Sequence, residues 1–284
     1  MSPVVAVIAP GMMGAAVGKR LVDNGLKVLT SLGGRSQETL ARAKAAGLAG
    51  ASDEEIASSD FILSILPPGD AVSLAERLIP ALKASNSKPV YVDCNAINPA
   101  TVDRVAAAIA PTDCAFVDAG IIGSPPKPGD AGPRFYASGP AAPRFATLRD
   151  YGLDIRLLDG AMSAASALKM SYAGITKGTQ AIGAAMMLAA VRAGSSDELF
   201  KELQSSQKEM LNWFKRALNA MPPKAYRWVA EMHEIADFVG DDPAAHELYE
   251  GAAHFYERLA ADFDADRKSV AALTAFLGKD APKS

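Results

Sequence analysis

The sequence predicts an α/β chain: a doubly wound parallel sheet in residues 1–160, followed by an all-α domain in residues 161–284. Two observations lead there. Short apolar runs alternate with helix signals through the first half, the rhythm of strand–helix–strand units joined by short linkers. After Gly160 the strand-like runs stop and helical composition continues to the end.

Val4-Val5-Ala6-Val7-Ile8 is a continuous apolar run, the pattern of a strand buried on both faces. A helix is expected from about Met12 to Asn24-Gly25, with Gly25 suited to the C′ position. Lys27 to Leu32 and Phe61 to Leu66 read as strands, and Ser52 with Glu55 makes a capping box between them. Val90-Tyr91-Val92 is a strand followed by Asn98 as N-cap and Pro99 as first helical residue. Ala115-Phe116-Val117, Phe135-Tyr136-Ala137 and Ile155 to Leu158 complete the series. Ser163 to Ala193 reads as one helix ended by Gly194, with Ser195 and Glu198 as a second capping box. Further helices are expected at about 196–220, 224–239, 243–263 and 266–277, punctuated by Pro222-Pro223, Gly240 and Pro243.

The 284 residues are 49% hydrophobic, ample for buried cores. A net charge of −3, with pI near 5.7, offers no basic surface for a nucleic-acid backbone. The longest uncharged apolar run, Ala181 to Val191, is about half of the ~20 residues a membrane span needs, so no membrane partner is expected. Met1-Ser2-Pro3 leads directly into a strand without a basic leader, and Cys94 and Cys114 form no CxxC pair. A reduced, cytoplasmic location is the expectation. His233, His246 and His254 show no HExxH and no clustered spacing, so no metal site is expected.

Ile8-Ala9-Pro10-Gly11-Met12-Met13-Gly14 joins the first strand to the first helix and aligns with G-x-G-x-x-G, with Ala9 at the first glycine. In that motif the second glycine admits a pyrophosphate to the backbone and the third lets helix and strand pack closely. The helix N-terminus adds unpaired N–H groups and positive dipole. Gly11, Met12, Met13 and Gly14 are therefore read as a dinucleotide turn, which makes the sheet Rossmann-type. At the end of the second strand, NAD enzymes place an acid about 20 residues past the last glycine. Here stand Gly33-Gly34-Arg35-Ser36. Arg35 can pair with a 2′-phosphate and Ser36 can donate to it, which favours NADP over NAD. The competing reading makes Arg35 a solvated side chain and Ser36 the next N-cap.

Several landmarks resemble the β-hydroxyacid dehydrogenase superfamily, which includes 3-hydroxyisobutyrate and 6-phosphogluconate dehydrogenases. They are Gly11-Met12-Met13-Gly14, Leu66-Pro67, Asp93-Cys94-Asn95-Ala96 with Asn98-Pro99, Asp118-Ala119-Gly120-Ile121-Ile122-Gly123-Ser124, and Lys169-Met170 with Gly174-Ile175 and Gly178. The resemblance covers roughly residues 4 to 180. It implies Leu66 and Pro67 at the adenosine side of the cofactor, Asn95 near the nicotinamide, and Ile122, Gly123 and Ser124 beside the substrate. It also implies Lys169 as general acid/base on a substrate hydroxyl. The last 100 residues resemble instead a subgroup of uncharacterised proteins with its own helical C-terminal domain, through Tyr226-Arg227-Trp228 and Glu231-Met232.

A lysine suits acid/base work because partial desolvation lowers its pKa towards the working range, and Ala164 to Leu168 are small or apolar. Tyr172, Ala173, Thr176, Lys177 and Gln180 lie on or near the Lys169 face, and Tyr172 is a candidate substrate contact. The competing reading is a snorkelling surface lysine. The chain also departs from the family pattern. Ala173 replaces the usual asparagine, Thr176 and Lys177 replace the glutamate and tyrosine of phosphogluconate dehydrogenases, and Ile122 replaces the substrate-motif serine.

The resulting expectation is an NADP-dependent oxidoreductase acting on a small molecule at a C–O centre. Its alternatives are an NADPH-dependent imine reductase, against which Lys169 counts, and a non-catalytic NADP-binding dimer, which Ala173 keeps open. Gly174 and Gly178 are expected to allow close packing against the nucleotide domain. The aromatics of the last third are read as core or interface, with Trp228 and Met232 as candidates for lining a substrate pocket. A homodimer through the C-terminal helices is expected.

Overall fold

The computed structural model describes residues 2–279. They form two compact units, one up to Met170 and the other from Ser171 onward.

The first unit runs β1 (Val4–Ile8), α1 (Met12–Asp23), β2 (Lys27–Thr30), α2 (Gln37–Ala45), β3 (Ala49–Gly50), α3 (Asp53–Ala57), β4 (Phe61–Ser64), α4 (Ala71–Ala84), β5 (Val90–Asp93), α5 (Pro99–Ile109), β6 (Ala115–Ile122), β7 (Arg134–Ser138), α6 (Ala142–Phe145) and β8 (Asp154–Leu157). The strands make one sheet in the order β3-β2-β1-β4-β5-β6-β7-β8. The strands from β1 to β6 pair in parallel, and β7 turns back antiparallel to β6 before β8 runs parallel to β7. The wholly parallel sheet expected from the alternation therefore holds as far as β6. A hairpin-like return, with Ile122 opposite Arg134, replaces a helical crossover there.

Alternate residues of β1 explain the layers. Val5 and Val7 pack with Ala15, Val17 and Leu21 of α1, whereas Ala6 and Ile8 pack with Leu74 and Leu78 of α4 and Val102 of α5. A strand buried on both faces needs apolar residues at every position, which is what Val4–Ile8 supplies. Local signals hold well: Gly25 has φ +89° behind α1, Ser52 and Glu55 close a reciprocal capping box, and Asn98 caps α5 ahead of Pro99.

The second unit is helical. α7 (Ala164–Ala193) starts in the first unit and continues into this one, where α8 (Ser196–Ser206), α9 (Lys208–Asn219), α10 (Ala225–Phe238), α11 (Pro243–Asp264) and α12 (Lys268–Leu277) follow. Two expectations are corrected. The helix expected over 196–220 is broken at Gln207, whose φ of −137° and ψ of 43° are not helical. Ser195 precedes α8 but its side chain caps nothing, because its φ of −105° and ψ of 15° lie outside the extended region in which an N-cap side chain reaches N2 or N3. The core is aromatic, with edge-to-face Phe200–Phe276 and Trp228–Tyr256 pairs. Among the described residues no helix is long and apolar enough to cross a membrane.

Candidate functional site

β1 has β2 on one side and β4 on the other, so the strand order reverses there. Ligands of open α/β sheets bind at the carboxyl ends of the strands beside such a reversal. The segments singled out between residues 9 and 124 lie at or just beyond the carboxyl ends of parallel strands. The 9–14 turn follows β1, Arg35 and Ser36 follow β2, Leu66 and Pro67 follow β4, Asn95 follows β5, and Ile122 to Ser124 end or follow β6.

The turn's two glycines serve different needs. A Cβ on Gly14 would lie 2.0 Å from the Ala9 carbonyl oxygen and 3.5 Å from Val7 Cγ1, so α1 packs on the turn through bare backbone. A Cβ on Gly11 would meet no atom within 4 Å, and its φ of −67° suits any residue. Gly11 is the N-cap of α1, no side chain caps the helix, and its first turn carries no acidic residue. The N–H groups of Met12, Met13 and Gly14, which lack intrahelical acceptors by position, are available to an anion.

Arg35 and Ser36 are both exposed. The Ser36 hydroxyl accepts from Thr39 N–H and so caps α2 as the competing reading held, yet it stays on the surface. Arg42, one turn into α2, was not singled out from the sequence. It donates to the Pro10 carbonyl at 3.3 Å and pairs with Glu38, bringing a guanidinium beside the glycine turn. Asn95 is buried and its amide is committed within the protein. Nδ2 donates to Ser64 Oγ at 2.8 Å and Asp93 at 3.0 Å, and Oδ1 accepts from Leu66 N–H at 2.5 Å. It therefore ties the exits of β4 and β5 together.

Lys169, on the second turn of α7, is half-buried and donates from Nζ to the Ile121 carbonyl at 2.9 Å. Ile122 is buried, while Gly123 and Ser124 are exposed beyond it. Gly123 has φ +133° and lies against Pro133, a conformation that L side chains rarely adopt. Asp118, on β6, is fully buried, and burial pushes its carboxyl up to about 6 despite the hydrogen bonds from the Ser166 hydroxyl and N–H.

Tyr172, in the second unit, is 47% exposed. Gly174 and Gly178 face their own helical unit: a Cβ on Gly174 would lie 2.9 Å from Tyr249 Oη, and one on Gly178 3.2 Å from Tyr249 Cε1. The expectation that they pack on the nucleotide domain is corrected, because the Tyr249 ring on α11 occupies that face. Lys177 pairs with the buried Glu231 and sits 5.0 Å above the Trp228 ring, and Tyr256 donates to its carbonyl. Met232 is fully buried in the core rather than lining an open pocket.

The family described as the NAD binding domain of 6-phosphogluconate dehydrogenase matches residues 4–149, and the chain belongs to it. A domain of unknown function, DUF1932, matches residues 190–259. The conserved protein MTH1747, of unknown function and described as structurally similar to 3-hydroxyacid dehydrogenases, is 29% identical with a TM-score of 0.69, over 94% of this chain and 99% of that one. A Mycobacterium tuberculosis 3-hydroxyisobutyrate dehydrogenase solved with L-serine has a TM-score of 0.70 at 21% identity, covering 97% of this chain and 99% of that chain. A Myxococcus stipitatus imine reductase in complex with NADP+ has a TM-score of 0.55 at 17% identity, covering 97% of this chain and 100% of that one. The last two share the fold.

Proposed function

We propose that this chain is an NADP-dependent oxidoreductase acting at a C–O centre, with Lys169 as general acid/base. The observation that carries the proposal is the place of Lys169. Its ammonium is held 2.9 Å from Ile121 O near the end of β6, on the same sheet edge as the glycine turn. Membership of the NAD-binding family supports the nucleotide, and the likeness of MTH1747 to 3-hydroxyacid dehydrogenases supports the reaction type.

The residues present fit the cofactor. The glycine at position 11 has no packing partner that requires it, so the room above it suits a pyrophosphate. Gly11, Met12, Met13 and Gly14 would hold the phosphates through backbone N–H groups. Arg35 and Ser36 would meet the 2′-phosphate, and Leu66 and Pro67, braced by Asn95, would flank the adenosine. When bound, the nicotinamide supplies or receives a hydride. Lys169 moves the proton at the substrate oxygen, while Ile122, Gly123 and Ser124 are the proposed substrate contacts.

A homodimer through the helical unit is part of the same reading. Tyr172, Ile175, Ile182 and Met186 are large, exposed and spaced along one face of α7. A row of large apolar side chains left exposed along one helix is what an association face would use. A groove of about 280 Å³ lined by Ile182, Met186, Met210 and Phe214 continues it.

The test joins cofactor titration to a turnover screen of hydroxy acids, aldehydes and imines. Lys169→Ala is expected to bind NADPH normally and lose about 100-fold or more in turnover. Arg35→Asp is expected to shift preference towards NAD. Full turnover in Lys169→Ala would refute the mechanism, and unchanged preference in Arg35→Asp the NADP assignment.

A further inference from the structure

We infer that Asp118 and Gly120 are positioning residues for Lys169: β6 sets the register and depth at which the lysine's helix starts. The chemical importance of that placement rests on the proposed role of Lys169, but the placement itself is tested separately below.

The first turn of a helix leaves N–H groups without intrahelical acceptors. Most helices answer with a local N-cap, and α7 has no acidic residue in its own first turn. Ala164 N–H turns back on the Ala161 carbonyl, and the next two donors go to the sheet. Ala165 N–H donates to Ser138 Oγ on β7 at 3.0 Å, and Ser166 N–H donates to Asp118 Oδ2 on β6 at 2.7 Å. The Ser166 hydroxyl donates to the other carboxyl oxygen, Oδ1, at 2.6 Å, which makes the grip two-pronged. Ser138 Oγ in turn donates to Met162 O at 2.8 Å, just ahead of the helix.

A local cap travels with its helix, whereas a cap that belongs to a strand stops the helix from rotating or sliding on that strand. Ser166 lies one turn before Lys169, so gripping the first fixes the azimuth of the second. Gly120 sets the depth. A Cβ there would stand 2.8 Å from Ala165 O and 3.0 Å from Lys169 Cβ, so the helix rests on bare strand backbone. Ile121 then offers the carbonyl that receives Lys169 Nζ. Asp118, Gly120 and Ile121 thus supply register, depth and partner from one short stretch of strand.

The readout is the reactivity of the Lys169 amine towards trinitrobenzenesulfonate, mapped by mass spectrometry on the intact folded chain without substrate. A cap that only stabilises the fold would lower Tm and leave this rate unchanged. If Asp118 and Gly120 position the lysine, Gly120→Ala and Asp118→Asn raise the Lys169 rate threefold or more. Exposed Lys19 and Lys201 then keep their rates, and NADPH affinity stays within twofold. Ser166→Ala keeps its N–H bond and loses the hydroxyl one, so its smaller rise should precede Asp118→Asn in a graded series. Should Asp118→Asn fail to fold, Gly120→Ala and Ser166→Ala carry the test. An unchanged or reduced Lys169 rate in the folded variants overturns the inference. Activity retained in Lys169→Ala would instead overturn the proposed mechanism and leave the positioning result standing.

Discussion

Gly11 and Gly14 lie three residues apart in one turn, and alanine at each should have opposite consequences. A methyl on Gly14 would come within 2.0 Å of the Ala9 carbonyl oxygen, short of the ~3.5 Å of ordinary contact by about 1.5 Å. The obstacle is backbone, which cannot swing away as a side chain would. Overpacking of that kind costs about 3 kcal/mol. At roughly 2 °C per kcal/mol for a chain of this size, Gly14→Ala should lower Tm by about 6 °C. Gly11→Ala meets nothing within 4 Å and keeps an ordinary φ of −67°. Alanine loses less entropy on folding, about 0.4–1 kcal/mol, but is a poorer N-cap than glycine by a similar amount, so stability stays within about 1 kcal/mol of wild type. Its methyl would fill the space proposed for the pyrophosphate, and the Kd for NADPH should rise tenfold or more, ~1.4 kcal/mol. Thermal melts without cofactor and a fluorescence titration with NADPH measure both. Undiminished affinity in Gly11→Ala would refute the phosphate assignment, and wild-type Tm in Gly14→Ala would refute the packing argument.

Asp118 gives a pH prediction. Its folded carboxyl, pushed up to about 6, holds a proton that the unfolded chain releases near 3.8. The stabilisation is therefore fully present below 3.8 and lost as pH rises through 6; at 1.36 kcal/mol for each pH unit between the two values it is at most ~3 kcal/mol. Urea unfolding at pH 4 and pH 7 should show wild type losing stability relative to Asp118→Asn; a gap constant with pH contradicts this. For the α7 face, Ile182→Glu with Met186→Glu should reduce a wild-type dimer to single-chain mass by light scattering. A wild type that already runs as a single chain would remove the proposed interface.

Much of the fold was legible because its signals are local. Continuous apolar runs fixed β1, β4 and β5, the capping box and Asn98-Pro99 marked helix starts, and Gly25 marked a helix end. Misreadings arose where local cues had equal alternatives. Ser195 has the residue type of a cap but not its backbone, and the helical composition of 196–220 hides the break at Gln207. Arg42 gave no signal, because its contact with Pro10 spans 32 residues. Asp118 did give one: an aspartate in the middle of the apolar strand Ala115–Ile122 needs buried partners. The sequence could not name the Ser166 hydroxyl and N–H as those partners.

By itself the sequence determined the strand–helix order, the glycine turn and the helical second half, since backbone preference and apolar periodicity act over a few neighbouring residues. Only the tertiary structure decided that β7 runs against β6, that Tyr249 fills the space beside Gly174 and Gly178, and that Asp118 caps a helix 48 residues away. Those outcomes depend on which buried polar groups and bare backbones meet once the strands are ordered. Burial makes an unmatched donor or a misplaced methyl costly at any distance along the chain.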